Sequence, residues 1–232
     1  MKAWLVGRRE LADLFSDRSY FFGLLAFFLV PLALVSTVNV TARNVGPVVF
    51  VFAVQAAVFP AFMSINAAAT TFIQDKENQS LLPLLAAPIR DEQIVYGKAL
   101  AVFVPSILAA FLSLGIYLAA ASFRFGASAV FTVVQPPTFF ALLVVSALFT
   151  LTIGSVGMIV ASRVRSIRSA QQIAGILIAI VVVGIVAGGQ YLTQFADGWL
   201  LVILPLGVLA ADVVALELVR RLWGREEVIA RI

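Results

Sequence analysis

Charged residues are so sparse along this chain that the uncharged gaps between them carry the first structural reading. Arg18 and Arg43 enclose 24 uncharged positions, Arg43 and Asp75 enclose 31, Lys98 and Arg124 enclose 25, Arg124 and Arg163 enclose 38, and Arg168 and Asp197 enclose 28. A helix crossing the hydrocarbon core of a bilayer needs about 20 apolar residues, so each gap has room for one. The longest gap is divided by Gln135-Pro136-Pro137-Thr138. Two adjacent prolines stop a helix from running through, and the part before them is too short to cross. This leaves one span over about 138–161 and a loop or shallow re-entrant piece over 125–134. Beyond Asp197, the stretch from Trp199 to Val219 holds seven Leu, five Val and one Ile. These favour insertion by about 4 to 8 kcal/mol, against a cost of roughly 3 kcal/mol for Asp212 at mid-depth. The pattern predicts an all-α integral membrane protein, a single transmembrane domain over 1–232. Its six transmembrane helices lie over about 19–41, 47–74, 99–123, 138–161, 169–194 and 199–219.

The first 18 residues follow a different period. On a helical wheel Trp4, Leu5, Gly7, Leu11, Ala12, Leu14 and Phe15 share one side, and Arg9, Glu10, Asp13, Ser16 and Asp17 share the other. Arg8 falls inside the apolar arc and Val6 inside the polar one. Such a segment is expected to lie in the membrane interface as an amphipathic helix, with Arg8 extending its guanidinium to the headgroups.

Composition sharpens the class. Of 232 residues 62% are hydrophobic and 12% charged, against ~45–50% apolar and ~25% charged in soluble domains. A water-soluble enzyme and a disordered chain are both excluded. Cysteine and histidine are absent, which removes thiol nucleophiles, imidazole bases and the usual zinc or haem ligands. No metal or cofactor site is expected, and no catalytic constellation is evident. With the N-terminus placed in the cytoplasm, fourteen of the 16 Lys and Arg residues fall on the inner side and only Arg43 and Arg124 outside. That asymmetry places both termini in the cytoplasm.

The longest cytoplasmic loop, 75–98, is apolar where a loop should be polar. It carries Leu81, Leu82, Leu84, Leu85 and Ile89. Ser80 is a good cap for a short helix, Pro83 is tolerated in its first turn, and Pro88 ends it. Asp91 caps the helix that follows. Apolar side chains at the membrane surface need a cover: lipid, the bundle itself or a docked protein. The phosphate-binding motif G-x-x-x-x-G-K-[ST] is absent: Gly97-Lys98-Ala99 lacks both the upstream glycine and the hydroxyl.

The triplet Asp75-Lys76-Glu77, the run Ser80-Leu81 with Leu84-Leu85 and Pro88, and the closing Gly97-Lys98 resemble the cytoplasmic loop of ABC-2 type permease subunits, the exporter class of ATP-binding cassette transporters. Leu82 stands where that family often has Glu. The resemblance implies that Ser80 to Ala87 is a coupling helix seated on a separate ATPase subunit. Asp75, Lys76, Glu77, Ser80, Leu81, Leu82, Leu84, Leu85 and Pro88 would form the contact. It further implies a second permease subunit, identical or related, and ATP used through the partner rather than bound by this chain. The expected function is export across the cytoplasmic membrane.

Two intramembrane features stay open. Asp212 is either a functional acid or half of an ion pair with Arg163 or Arg165. Gln55 and Asn66 read as interhelix hydrogen-bonding groups. The rival functions are a self-contained secondary transporter or channel, which wants midplane ionisable groups and internal repeats, and a membrane scaffold that does not transport.

Overall fold

The computed structural model describes residues 2–16, 18–37, 45–77, 91–164, 166, 168–170, 172–173, 175–176, 206–207, 209–210 and 212–218. Every secondary-structure element among them is helical. The order is α1 (Lys2–Ser16), α2 (Arg18–Thr37), α3 (Val45–Val58), a 3₁₀ turn (Phe59–Phe62), α4 (Met63–Glu77), α5 (Asp91–Phe125), α6 (Ala127–Val133) and α7 (Pro136–Arg163). Residues 212–218 form a further short helical stretch. Three stretches among the described residues are long and apolar enough to cross a membrane: Val45–Ile73, Gln93–Phe125 and Pro136–Arg163. The expected span 169–194 falls largely outside the described residues, and about half of 199–219 does.

Helix α5 is the axis of the bundle. Its 35 residues extend about 52 Å at 1.5 Å per residue, well beyond a hydrocarbon core of about 30 Å. It starts at Asp91, eight residues before the uncharged gap opens at Ala99, and α1, α2, α3, α4, α6 and α7 all pack on it. Pro105 lies inside it without ending it, as bundles tolerate when neighbouring helices and hydroxyls satisfy the freed backbone. Beside it, Ser106 donates its hydroxyl back to the Val102 carbonyl at 2.8 Å, whereas the carbonyl that loses its helical donor to Pro105 is that of Ala101.

The structure refines the sequence reading at three points. The expected span over 47–74 is one membrane-length stretch, Val45–Ile73, with a 3₁₀ turn at Pro60 separating α3 from α4. A proline at the start of a new helical segment removes only a donor that lacks a partner there. The stretch 125–134, expected as a loop or shallow re-entrant piece, holds a short helix. Gly126, at φ 90°, turns the chain out of α5, a conformation that costs a residue without a Cβ little. The seven-residue α6 then packs Val130 and the following Val134 against α3 and α5. Finally, Pro136 and Pro137 lie within the first turn of α7 rather than before it, again where missing N–H groups are harmless.

Two apolar clusters fill the bundle. One gathers Val49, Ala53 and Ala57 of α3 with Leu114, Tyr117 and Ala121 of α5, and includes Val130 and Leu142. There the Tyr117 hydroxyl donates to the Val49 carbonyl at 3.0 Å. The other gathers Leu14 of α1, Ala68 and Phe72 of α4, Ile94 and Val102 of α5, and Met158 of α7. Small residues let α4 and α7 approach closely. A Cβ built on Gly157 would lie 3.0 Å from the Ile65 Cα and 3.3 Å from the Ala68 Cβ.

Candidate functional site

The end of the bundle where α4 finishes and α5 begins is built around one nitrogen. Lys98 sits in the second turn of α5, between the buried residues Ile94, Val95, Ala101 and Val102, and none of its surface is exposed. Its Nζ donates to Glu10 Oε1 of α1 at 3.1 Å and to the Thr71 carbonyl of α4 at 2.6 Å. It also lies 5.4 Å from the centroid of the Phe72 ring, within range of a favourable cation–π contact. Glu10 is 8% exposed. Taking two charges out of water costs several kcal/mol per ion, and only close pairing with additional hydrogen bonds offsets it. The carboxylate, the peptide carbonyl and the aromatic face together provide that environment.

Helix α1 reaches this nitrogen because its inward face is compact. Val6, Gly7, Glu10 and Leu14 are buried, a stripe at the i, i+4, i+8 spacing of one helix face. Gly7 permits the approach: a Cβ there would stand 3.1 Å from the Gly97 carbonyl oxygen. The wheel is thus divided in three. Trp4, Leu5 and Phe15 are exposed on an apolar arc that also carries Arg8, and Arg9 and Asp13 form a polar arc joined by a 3.8 Å ion pair. The sequence reading put Glu10 with the water-facing residues and treated Val6 as an exception. The structure reverses both, because a polar residue on an amphipathic helix faces inward when a buried partner awaits it. The stripe itself was the available signal.

The residues expected to meet a partner flank this point. Asp75, Lys76 and Glu77 form the last turn of α4, and Gly97 and Lys98 lie near the start of α5. Only the backbone of 75–77 is described. Ser80, Leu81, Leu82, Leu84, Leu85 and Pro88, and with them the expected helix over 80–87, lie outside the described residues.

Asp212 is 3% exposed. It accepts a 2.6 Å hydrogen bond at Oδ1 from the Thr152 hydroxyl of α7, while its Oδ2 is buried without a hydrogen-bond partner among the described residues. The ion pair with Arg163 is not formed. Arg163 is exposed at the far end of α7, eleven residues from Thr152, about 16 Å along the helix; Arg165 lies outside the described residues. Asn66 also departs from expectation, standing exposed on α4 rather than between packed helices.

A helical bundle with several membrane-crossing segments, organised around an axial helix and an amphipathic helix locked to its base, defines a multi-pass α-helical membrane protein. Residues 31–209 match the family described as ABC-2 family transporter protein, and the chain belongs to that family. It is a permease-type membrane subunit of an ABC transporter. None of the curated proteins matches it.

Proposed function

We propose that this chain is the membrane half of an exporter whose ATP is hydrolysed on a separate subunit, with six spans and both termini in the cytoplasm of a cell whose cytoplasmic membrane it crosses. The observation that carries the reading is the family match over residues 31–209, joined to the position of the 75–98 segment. The acidic–basic–acidic triplet closes α4 and Gly97-Lys98 lies buried in the second turn of α5, so any load on the intervening segment reaches two bundle helices directly. Asp75 and Glu77 stand at the negative end of the α4 dipole, where acidic side chains are disfavoured by about 0.3–1 kcal/mol. A basic surface on a docked subunit relieves that cost. In this reading Ser80, Leu81, Leu82, Leu84, Leu85 and Pro88 form the apolar contact, and the chain binds no cofactor itself. Two permease subunits enclose the substrate path, and closure of the ATPase pair tilts one against the other.

The test is co-purification from the native membrane in detergent, with Leu84→Asp/Leu85→Asp beside the native chain. An ATPase subunit retained by the native protein and lost with the double variant supports the reading. A protein that purifies alone, unchanged by the substitutions, sinks it. That result would favour a self-contained transporter or channel, for which the buried Asp212, its Oδ2 without a hydrogen-bond partner among the described residues, supplies the intramembrane acid.

A further inference from the structure

We infer that Glu10 and Lys98 are positioning residues. They fasten α1, the end of α4 and the start of α5 into one body, so that displacement of the 78–90 loop moves the interfacial helix together with the spans. The inference rests on the ATPase-driven reading above and extends it to a residue pair outside the proposed contact.

Geometry carries the argument. The 78–90 segment follows α4, which ends at Glu77, and precedes α5, which starts at Asp91. Thr71 lies six residues before the first point and Lys98 seven after the second, about 9 and 10 Å along their helices. At that level the Lys98 ammonium bonds the Thr71 carbonyl and the Glu10 carboxylate together. Both ends of the loop and α1 therefore share one nitrogen. Stability alone does not account for such a pair, since apolar residues of similar volume commonly do as well or better in a buried site. The pair adds direction, because the ammonium meets each partner at a fixed distance, whereas apolar contacts slide. The rest of α1 is suited to act as an outrigger. Trp4, Leu5 and Phe15 are exposed with Arg8 among them, a face that seats in the acyl–headgroup boundary. A load that moves the loop against a fixed α1 must break the Lys98 bonds; a load that moves all three does not.

The chain contains no cysteine, so labels can be placed at will. Asp13→Cys on α1 and Tyr96→Cys on α5, both exposed, take spin labels in the permease–ATPase complex reconstituted in lipid. Pulsed electron resonance then reads their separation without nucleotide and after trapping with ADP and vanadate. We expect one narrow distance, the same in both states, in the native background. With Lys98→Met, and separately with Glu10→Gln, we expect the native distance without nucleotide and a distribution at least twofold broader after trapping. The ATPase should stay bound at the native ratio throughout. A lock that is merely structural would change both states alike. Glu10→Gln keeps an oxygen acceptor and the side-chain shape, and it carries the test if Lys98→Met does not fold. The inference is overturned if the native distance changes on trapping, or if both variants keep the native distribution after it. Absence of the ATPase from the native preparation overturns the functional reading first, and this inference with it.

Discussion

The buried pair makes a thermodynamic prediction that needs no partner and no substrate. Lys98→Met removes the ammonium while filling its volume, and leaves the Glu10 carboxylate with only 10% of its side chain exposed. Breaking one side of a buried ion pair costs about 3–5 kcal/mol. The small exposure of Glu10 puts the expected loss near 3 kcal/mol, since water at its edge recovers part of the solvation. For a chain of this length that corresponds to a fall of roughly 6–12 °C in the unfolding midpoint. Glu10→Leu removes the anionic partner of the ammonium at 3.1 Å and should cost a similar amount, because Lys98 is fully buried. The double variant Glu10→Leu/Lys98→Met strands neither charge, and should return to within about 1 kcal/mol of native. The four unfolding midpoints, native included, in one detergent, read by fluorescence-detected gel filtration, close the cycle. Losses of about 3 kcal/mol in each single variant and about 1 kcal/mol in the double imply a coupling energy of about 5 kcal/mol, above the ~0.5–3 kcal/mol usual for residues in contact, because each single variant also carries the penalty of a buried charge. The reasoning is refuted if either single variant is neutral, or if the double variant loses the sum of the two.

Two further outcomes test the packing. Gly157→Ala places a methyl 3.0 Å from the Ile65 backbone and should destabilise by about 1–3 kcal/mol, whereas Gly115→Ala, with nothing within 4 Å of the added carbon, should be neutral or gain up to about 1 kcal/mol; thermal unfolding of both variants decides. Tyr117→Phe removes the hydrogen bond to the Val49 carbonyl and should cost about 0.5–1.5 kcal/mol, and a variant as stable as native would show that the carbonyl needs no second donor.

The family resemblance read from Asp75-Lys76-Glu77 and Gly97-Lys98 is upheld by the match over 31–209, although those residues make up only a small part of the matched stretch. Sparse charge made the helices legible, because the cost of burying an ion in hydrocarbon confines charged residues to the ends of spans. Lys98 is the instructive exception. Its charge marked a boundary in the sequence, yet it lies inside α5 and fully buried, since α1 and α4 supply the partners that water would otherwise supply. Glu10 was misplaced for the complementary reason: a helical wheel sorts residues by polarity and says nothing of what faces them. The helix α6 escaped notice because seven residues cannot cross a bilayer, and its stability comes from Val130 and Val134 packing on α3 and α5 rather than from length. Thr152 could not be nominated as the partner of Asp212, since the two lie 60 positions apart and no local pattern links them.

The 3₁₀ turn at Phe59–Phe62 has a consequence for the angular bearing of everything that follows it. A 3₁₀ helix turns 120° per residue against 100° for an α-helix and rises about 0.5 Å more. Four such residues rotate α4 by about 80° and displace it by about 2 Å from where an unbroken helix would carry it. That offset is what aims Ile65 and Ala68 at Gly157 of α7 and the Thr71 carbonyl at Lys98. The azimuth of the base of the bundle is therefore set in mid-span, by a proline that touches neither contact.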